Sequence, residues 1–183
     1  MEEQKKSIFQ PSIMPGIFLG IALIIFSLVL YLLDVNMRSG WNYLSLILMS
    51  VGLYWSMITI RDKTLGGYIN YKQAFMAGFW TGLVAIIIST IFTYVQVTVI
   101  DPGFAQEVLD QAIEQALERN PDMSDAELEQ VESITSMFTS PAMITVWGLV
   151  GSLFFTVILS LIIAIFAKRE KPVDFAEEGV TEE

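Results

Sequence analysis

The chain has 183 residues, of which 54% are hydrophobic and only 16% charged, and its formal net charge is −10. That is too apolar for an ordinary soluble domain, where about a quarter of residues are charged, and too acidic to leave a basic patch for nucleic acid, so no nucleic-acid partner is expected. Cysteine and histidine are both absent, which excludes disulfides, thiolate chemistry, histidine proton shuttling and the commonest zinc or haem ligands.

Four apolar stretches, 13–33, 41–60, 74–100 and 142–167, contain no Asp, Glu, Lys or Arg. Each reaches the roughly 20 residues that a bilayer crossing requires. The predicted fold is all-α, an integral membrane four-helix bundle forming one membrane domain over 1–167, with the lipid bilayer as its first partner. A two-helix acidic external cap is expected between spans three and four.

The first stretch is expected to stay in place as a span. Its apolar run exceeds the roughly 7–15 residues of a signal peptide, and LLDVNMRSG offers no A-x-A cleavage pattern. Gly16 and Gly20 lie one turn apart on it, the spacing at which membrane helices approach closely. The second stretch contributes Ser45, Gly52, Ser56 and Thr59.

Between spans two and three, Gly66-Gly67 signals a loop and lacks the spacing of a phosphate cradle. Tyr71 and Lys72 then stand at the membrane edge as interface anchors, the lysine stem along lipid and its ammonium in water. Gln73 is expected at the same depth, with Tyr68 and Trp80 supplying further amphipathic rings. The alternative for this edge is recognition of a phosphate-bearing headgroup or of a partner. Span three places Ala74, Gly78 and Gly82 on one line, with Ala77, Thr81, Ala85 and Ser89 beside it.

Residues 101–140 hold ten acidic residues and one arginine. Phe104, Val108, Ala112 and Ala116, flanked by Leu109, Ile113 and Leu117, make an apolar helical stripe, and Glu107, Asp110, Glu114 and Glu118 fall on another face. Asp101 is expected to cap this helix, and Asn120-Pro121 to break it. Ser124 and Glu127 have the spacing of a capping box opening a second helix, whose apolar side is Leu128, Val131, Ile134 and Phe138. The loop fails as an EF-hand: Asp125 stands at the glycine position and Val131 at the bidentate glutamate. No metal site and no cofactor are expected.

Ser140-Pro141 reads as N-cap and first turn of span four. On that span Gly148, Ser152, Thr156, Ser160 and Ala164 recur every fourth residue. The stripe serves bundle packing or self-association through span four. The tail, 168–183, starts basic and ends acidic with no sustained apolar stripe, and is expected to be disordered.

Lysine and arginine near spans are retained on the cytoplasmic side. Lys5, Lys6, Arg61, Lys63, Lys72, Lys168, Arg169 and Lys171 fall on one side, and Arg38 and Arg119 on the other. Both termini are therefore expected in the cytoplasm. Gly16, Gly20, Ile24, Ile25 and Ser27 match Gly78, Gly82, Ile86, Ile87 and Ser89 at one fixed offset. A parallel duplication of a two-helix hairpin would leave this pattern, and so would chance in helices built from few residue types.

YKQAFMAGF at 71–79, a long apolar helix and IDPGF at 100–104 resemble the bacterial domain-of-unknown-function family 4199 over nearly all of the chain. The resemblance implies a small inner-membrane protein with four helices. It supplies no activity and no catalytic residue.

Three functions compete. A non-enzymatic accessory or scaffold subunit of an envelope pathway, bound to another membrane protein, fits the packing stripes and the external helices. A small transporter or oligomeric channel for a neutral solute fits the hydroxyls of span four, although charge that would mark an ion path is missing from the spans. An enzyme would have to use Asp62, Tyr71, Lys72 or Asp101 at an interface, and no nucleophile–base spacing stands out; no enzymatic activity is expected.

Overall fold

A computed structural model of the chain describes residues 7–33 and 43–171. Lys5, Lys6, Arg38 and residues 172–183 of the tail lie outside them. Six α-helices follow in order: α1 (Phe9–Leu32), α2 (Leu44–Lys63), α3 (Tyr71–Val95), α4 (Phe104–Arg119), α5 (Asp125–Phe138) and α6 (Pro141–Ala167). A π-helical turn, Gln96–Ile100, continues α3. No strand occurs among the described residues; a single antiparallel bridge joins Ile69 to Arg169.

Four of these helices are long and apolar enough to cross a membrane: α1, α2, α6 and the continuous rod Tyr71–Ile100. The rod is 30 residues long, about 45 Å at 1.5 Å per residue against a hydrocarbon core near 30 Å. α1 starts earlier than the apolar pattern suggests, because Pro11 falls where the helix needs no backbone donor. Pro15 lies inside α1 and is buried.

α3 is the hub. It packs along α1 on one side and α6 on the other, and α2 lies in the groove against all three. Two apolar layers hold the bundle. One gathers Met57, Ile60, Ile69, Ala74, Ala77, Ala164 and Ala167; the other gathers Leu19, Met49, Leu53, Ala85 and Ile86. Alanine and glycine dominate where helices cross, so attraction comes from backbone proximity and dispersion rather than from large interlocking side chains. The outer surfaces present Phe18, Ile25, Ile47, Trp55, Ile91, Phe154 and Phe166, all exposed. In water such a surface would aggregate; in lipid it is the matched solvent face.

The glycines matched at the fixed offset do unequal work. Alanine methyls at Gly16 and Gly20 would strike α3, whereas those at Gly78 and Gly82 would strike α2 and α6. The two hairpins are therefore not packed equivalently.

The four helices give the bundle a basic end and an acidic end. At the basic end Gly66 and Gly67 take φ of +74° and +89°, a left-handed path that glycine follows without a Cβ penalty. This lets the chain fold back so that Gly67 N donates to Arg61 O at 2.9 Å. Ile69 and Arg169 then exchange two backbone hydrogen bonds of 2.8 Å, and the Arg169 guanidinium lies over the Tyr68 ring at 5.7 Å. Residues 168–171, the start of the expected disordered tail, are thus described and partly tied down.

At the acidic end α4 and α5 pack against each other, broken at Asn120-Pro121. Asp101 does not cap α4; Gly103 occupies that position, because Pro102 holds the chain one turn short of the helix. α4 buries Leu109 alone and α5 buries nothing, and Leu117 and Ile134 stay exposed. Their apolar sides meet one another in part and leave much of the bundle end uncovered.

Candidate functional site

The Y-K-Q-A-F stretch builds the start of α3. Asn70 Oδ1 accepts from Gln73 N at 2.8 Å, and Asn70 N donates to Gln73 Oε1 at 3.1 Å. Gln73 is therefore half of a capping box that satisfies donors at the helix start, a role the apolar pattern around it concealed. Tyr71 donates its hydroxyl to Leu161 O of α6 at 3.2 Å, so its tip is a tie between helices. Lys72 is exposed beside it. Ala74 and Ala77 are fully buried, and Arg61 reaches Ala167 O at 3.4 Å, a cation at the C-terminus of α6 where the helix dipole favours it.

Beyond this collar runs the close-packed seam. A Cβ at Gly16 would sit 2.7 Å from Val84 Cβ and 2.8 Å from Thr81 O. One at Gly20 would come within 3.2 Å of Ala85 O. One at Gly78 would strike Met57 and Ser160, and one at Gly82 would strike Thr156. Hydroxyls line this seam too. Ser56 and Thr81 share a 2.5 Å hydrogen bond, Ser12 Oγ donates to Ile8 O at 2.7 Å, and Thr156 Oγ1 donates to Ser152 O at 2.7 Å. Ser160 Oγ is buried without a hydrogen-bond partner among the described residues.

The span-four stripe does not stay in the seam. Thr156, Ser160 and Ala164 are buried, but Gly148 and Ser152 are exposed, and nothing lies within 4 Å of a Cβ added at Gly148. Toward the acidic end α6 leans away from its neighbours and opens a cleft of about 470 Å³. α1 contributes Leu23, Phe26, Ser27 and Leu30 to its wall; α2 gives Ser45, Leu46 and Met49; α3 gives Ser89 and Thr93; α6 gives Trp147, Gly148, Gly151, Ser152 and Phe155. Ser27 also donates to Gln96 Oε1 at 3.0 Å, joining α1 to the π turn. Ser27 and Ser89, paired by the offset, meet at this cleft. No sequence signal announced it, because a four-residue stripe has the same period whether its helix packs or diverges.

The family model for a protein of unknown function, DUF4199, matches residues 15–169. The chain belongs to the DUF4199 family. Comparison with curated proteins and with solved structures finds no match. Four membrane-length helices and this membership make the DUF4199 chain a multi-pass membrane protein of unknown activity. The matched region contains the capping box, the glycine seam and all the walls of the cleft.

Proposed function

We propose that this DUF4199 protein is a non-enzymatic accessory or scaffold subunit of a cell-envelope pathway in a bacterial inner membrane, with both termini in the cytoplasm and α4–α5 on the opposite side as an acidic platform. The observation that carries the reading is the uncovered apolar side of α5. Ile134, Met137 and Phe138 are 49%, 70% and 50% exposed on a helix whose other large apolar residues, Leu128 and Val131, are only half-buried. An amphipathic helix held outside the bundle with its apolar side open fits a docking surface. Its carboxylates disfavour a resting place on anionic lipid headgroups, which attract lysine and arginine. The partner is then another membrane protein.

A photo-crosslinking amino acid at Met137, in native membranes, tests this. The expected result is one discrete adduct that disappears when the crosslinker stands at Glu118. An adduct of twice the chain mass would assign the surface, or α6, to self-association. Crosslinks to lipid alone would remove the scaffold reading. The hydroxyls buried between the helices, Ser12, Ser56, Thr81, Thr156 and Ser160, support a second reading, a small transporter or oligomeric channel for a neutral solute, which proteoliposomes showing no solute flux would eliminate.

A further inference from the structure

We propose that the cleft between α1, α2, α3 and α6 holds one acyl chain of an amine-headed phospholipid, entering sideways from the leaflet at the acidic end. The cleft lies within the bundle, apart from the α5 surface, and its depth in the membrane is defined by its walls. The cleft is walled by the last turns of α1, the first turns of α2, the latter part of α3 and the first half of α6. All of these lie toward the acidic end. Trp147 to Phe155 spans about 12 Å of helix, most of one leaflet of a hydrocarbon core near 30 Å.

The chemistry of the walls selects the occupant. Five residues there bear hydroxyls, and three of the donors turn back into the protein: Ser89 Oγ to Ala85 O at 2.8 Å, Thr93 Oγ1 to Ser89 O at 2.9 Å and Ser27 Oγ to Gln96 Oε1. A polar solute would leave water and find few open partners, which is costly. What remains facing the space is hydrocarbon and ring from Leu23, Phe26, Leu30, Met49, Trp147 and Phe155. An unfilled space of about 470 Å³ forfeits dispersion along every wall, and the filler that the bilayer supplies is an acyl chain. The two α6 glycines at the opening, Gly148 and Gly151, have nothing within 4 Å of an added Cβ, so a chain can pass beside the backbone.

Charge selects the head. Segment 101–140 runs from the end of α3 to the start of α6, joining two walls of the cleft, and its ten acidic residues against one arginine give net −9. At the other end the described residues Arg61, Lys63, Lys72, Lys168, Arg169 and Lys171 against Asp62 and Glu170 give net +4. An anionic head would be repelled at the cleft and drawn to the opposite leaflet. An ammonium-bearing head such as that of phosphatidylethanolamine meets the carboxylates.

The full chain, reconstituted in nanodiscs of equal phosphatidylethanolamine and phosphatidylglycerol, is released into detergent and weighed by native mass spectrometry. One retained phosphatidylethanolamine is expected, favoured about tenfold over phosphatidylglycerol, a ratio equivalent to ~1.4 kcal/mol. Gly148→Leu with Ser152→Leu fills the cleft from two exposed residues, and should abolish that retention while helicity is unchanged. A phosphatidylethanolamine carrying a diazirine midway along its acyl chain should label Phe26 or Met49 within the cleft. Equal retention of the two lipids, retention unaffected by the double variant, or labelling confined to outward residues such as Phe154 and Phe166 would each overturn the assignment.

Discussion

An alanine methyl at Gly16 has nowhere to go. It would meet Val84 Cβ at 2.7 Å and the Thr81 carbonyl at 2.8 Å, a stiff branched side chain and a backbone, neither of which can rotate aside. At Gly82 the obstacle is the branched Thr156 side chain, and at Gly78 it is the mobile end of Met57 together with Ser160. Overpacking costs about 1–3 kcal/mol, so Gly16→Ala should lower the midpoint of thermal unfolding in detergent most, Gly82→Ala less and Gly78→Ala least. Gly148→Ala belongs to another class. With open space around it it should gain about 0.5–1 kcal/mol from reduced chain entropy. If Gly148→Ala were as damaging as Gly16→Ala, the leaning geometry of α6 would be wrong. Buried hydroxyls divide the same way. Ser56 is paired with Thr81, whereas Ser160 Oγ has no partner among the described residues. A buried hydroxyl left unpaired costs about 1–3 kcal/mol. Ser160→Ala should therefore be neutral or stabilising, and Ser56→Ala should destabilise by leaving the Thr81 hydroxyl only its long 3.5 Å bond to Ser12 O.

At the scale of single elements, local rules were readable where the residues enforcing them are close in sequence. Ser124 and Glu127 do form a capping box: Ser124 N and Ser124 Oγ both donate to Glu127 Oε2, at 2.9 and 2.7 Å. Asn70 and Gln73 obey the same spacing, but the long apolar run after them masks the capping signal with that of a membrane edge. The π turn at 96–100 carries no glycine or proline to betray it; Gln96 reaching Ser27 on α1 is a contact 69 residues distant in sequence. The cleft was hidden for the same reason, since the lean of α6 is a property of four helices and not of its own pattern. The capping box also has a pH signature. The backbone N–H and hydroxyl of Ser124 hold the Glu127 carboxyl below its ordinary range. A carboxyl depressed on folding stabilises α5 above its unfolded pKa, and that contribution fades as pH falls through the folded value. The protection of α5 amides, taken relative to the intrinsic exchange rate at each pH, should therefore fall on acidification below the usual glutamate range, and Glu127→Gln should flatten that response. Ser124→Ala should weaken α5 by about 1 kcal/mol at neutral pH through loss of its cap. An α5 unprotected at every pH would show that the helix does not persist outside the bundle.

At the scale of the whole molecule, charge and helix direction give a topology that can be tested without knowing any activity. Four membrane-length helices alternate in direction, so the start of α1, the α2–α3 turn and the end of α6 share one end, and α4–α5 the other. Six of the described basic residues gather at the first end, and among the described residues only Arg119 stands at the second. Moving that second end into the cytoplasm would carry the basic cluster across the membrane against the retention of lysine and arginine. The chain has no cysteine, so a single introduced thiol reports its own position with no background to subtract. Ser7 and Ser136 are both exposed and outside the spans; Ser136 Oγ donates only within its own helix, to Ser133 O at 2.9 Å, so neither replacement disturbs packing. In intact spheroplasts a membrane-impermeant maleimide should label Ser136→Cys and leave Ser7→Cys untouched until the membrane is opened. Labelling of both from outside would require an odd number of crossings between residues 136 and 7 to be abandoned. One of α1, α2 and α3 would then lie along the bilayer instead of through it, and the cleft would no longer face a single leaflet.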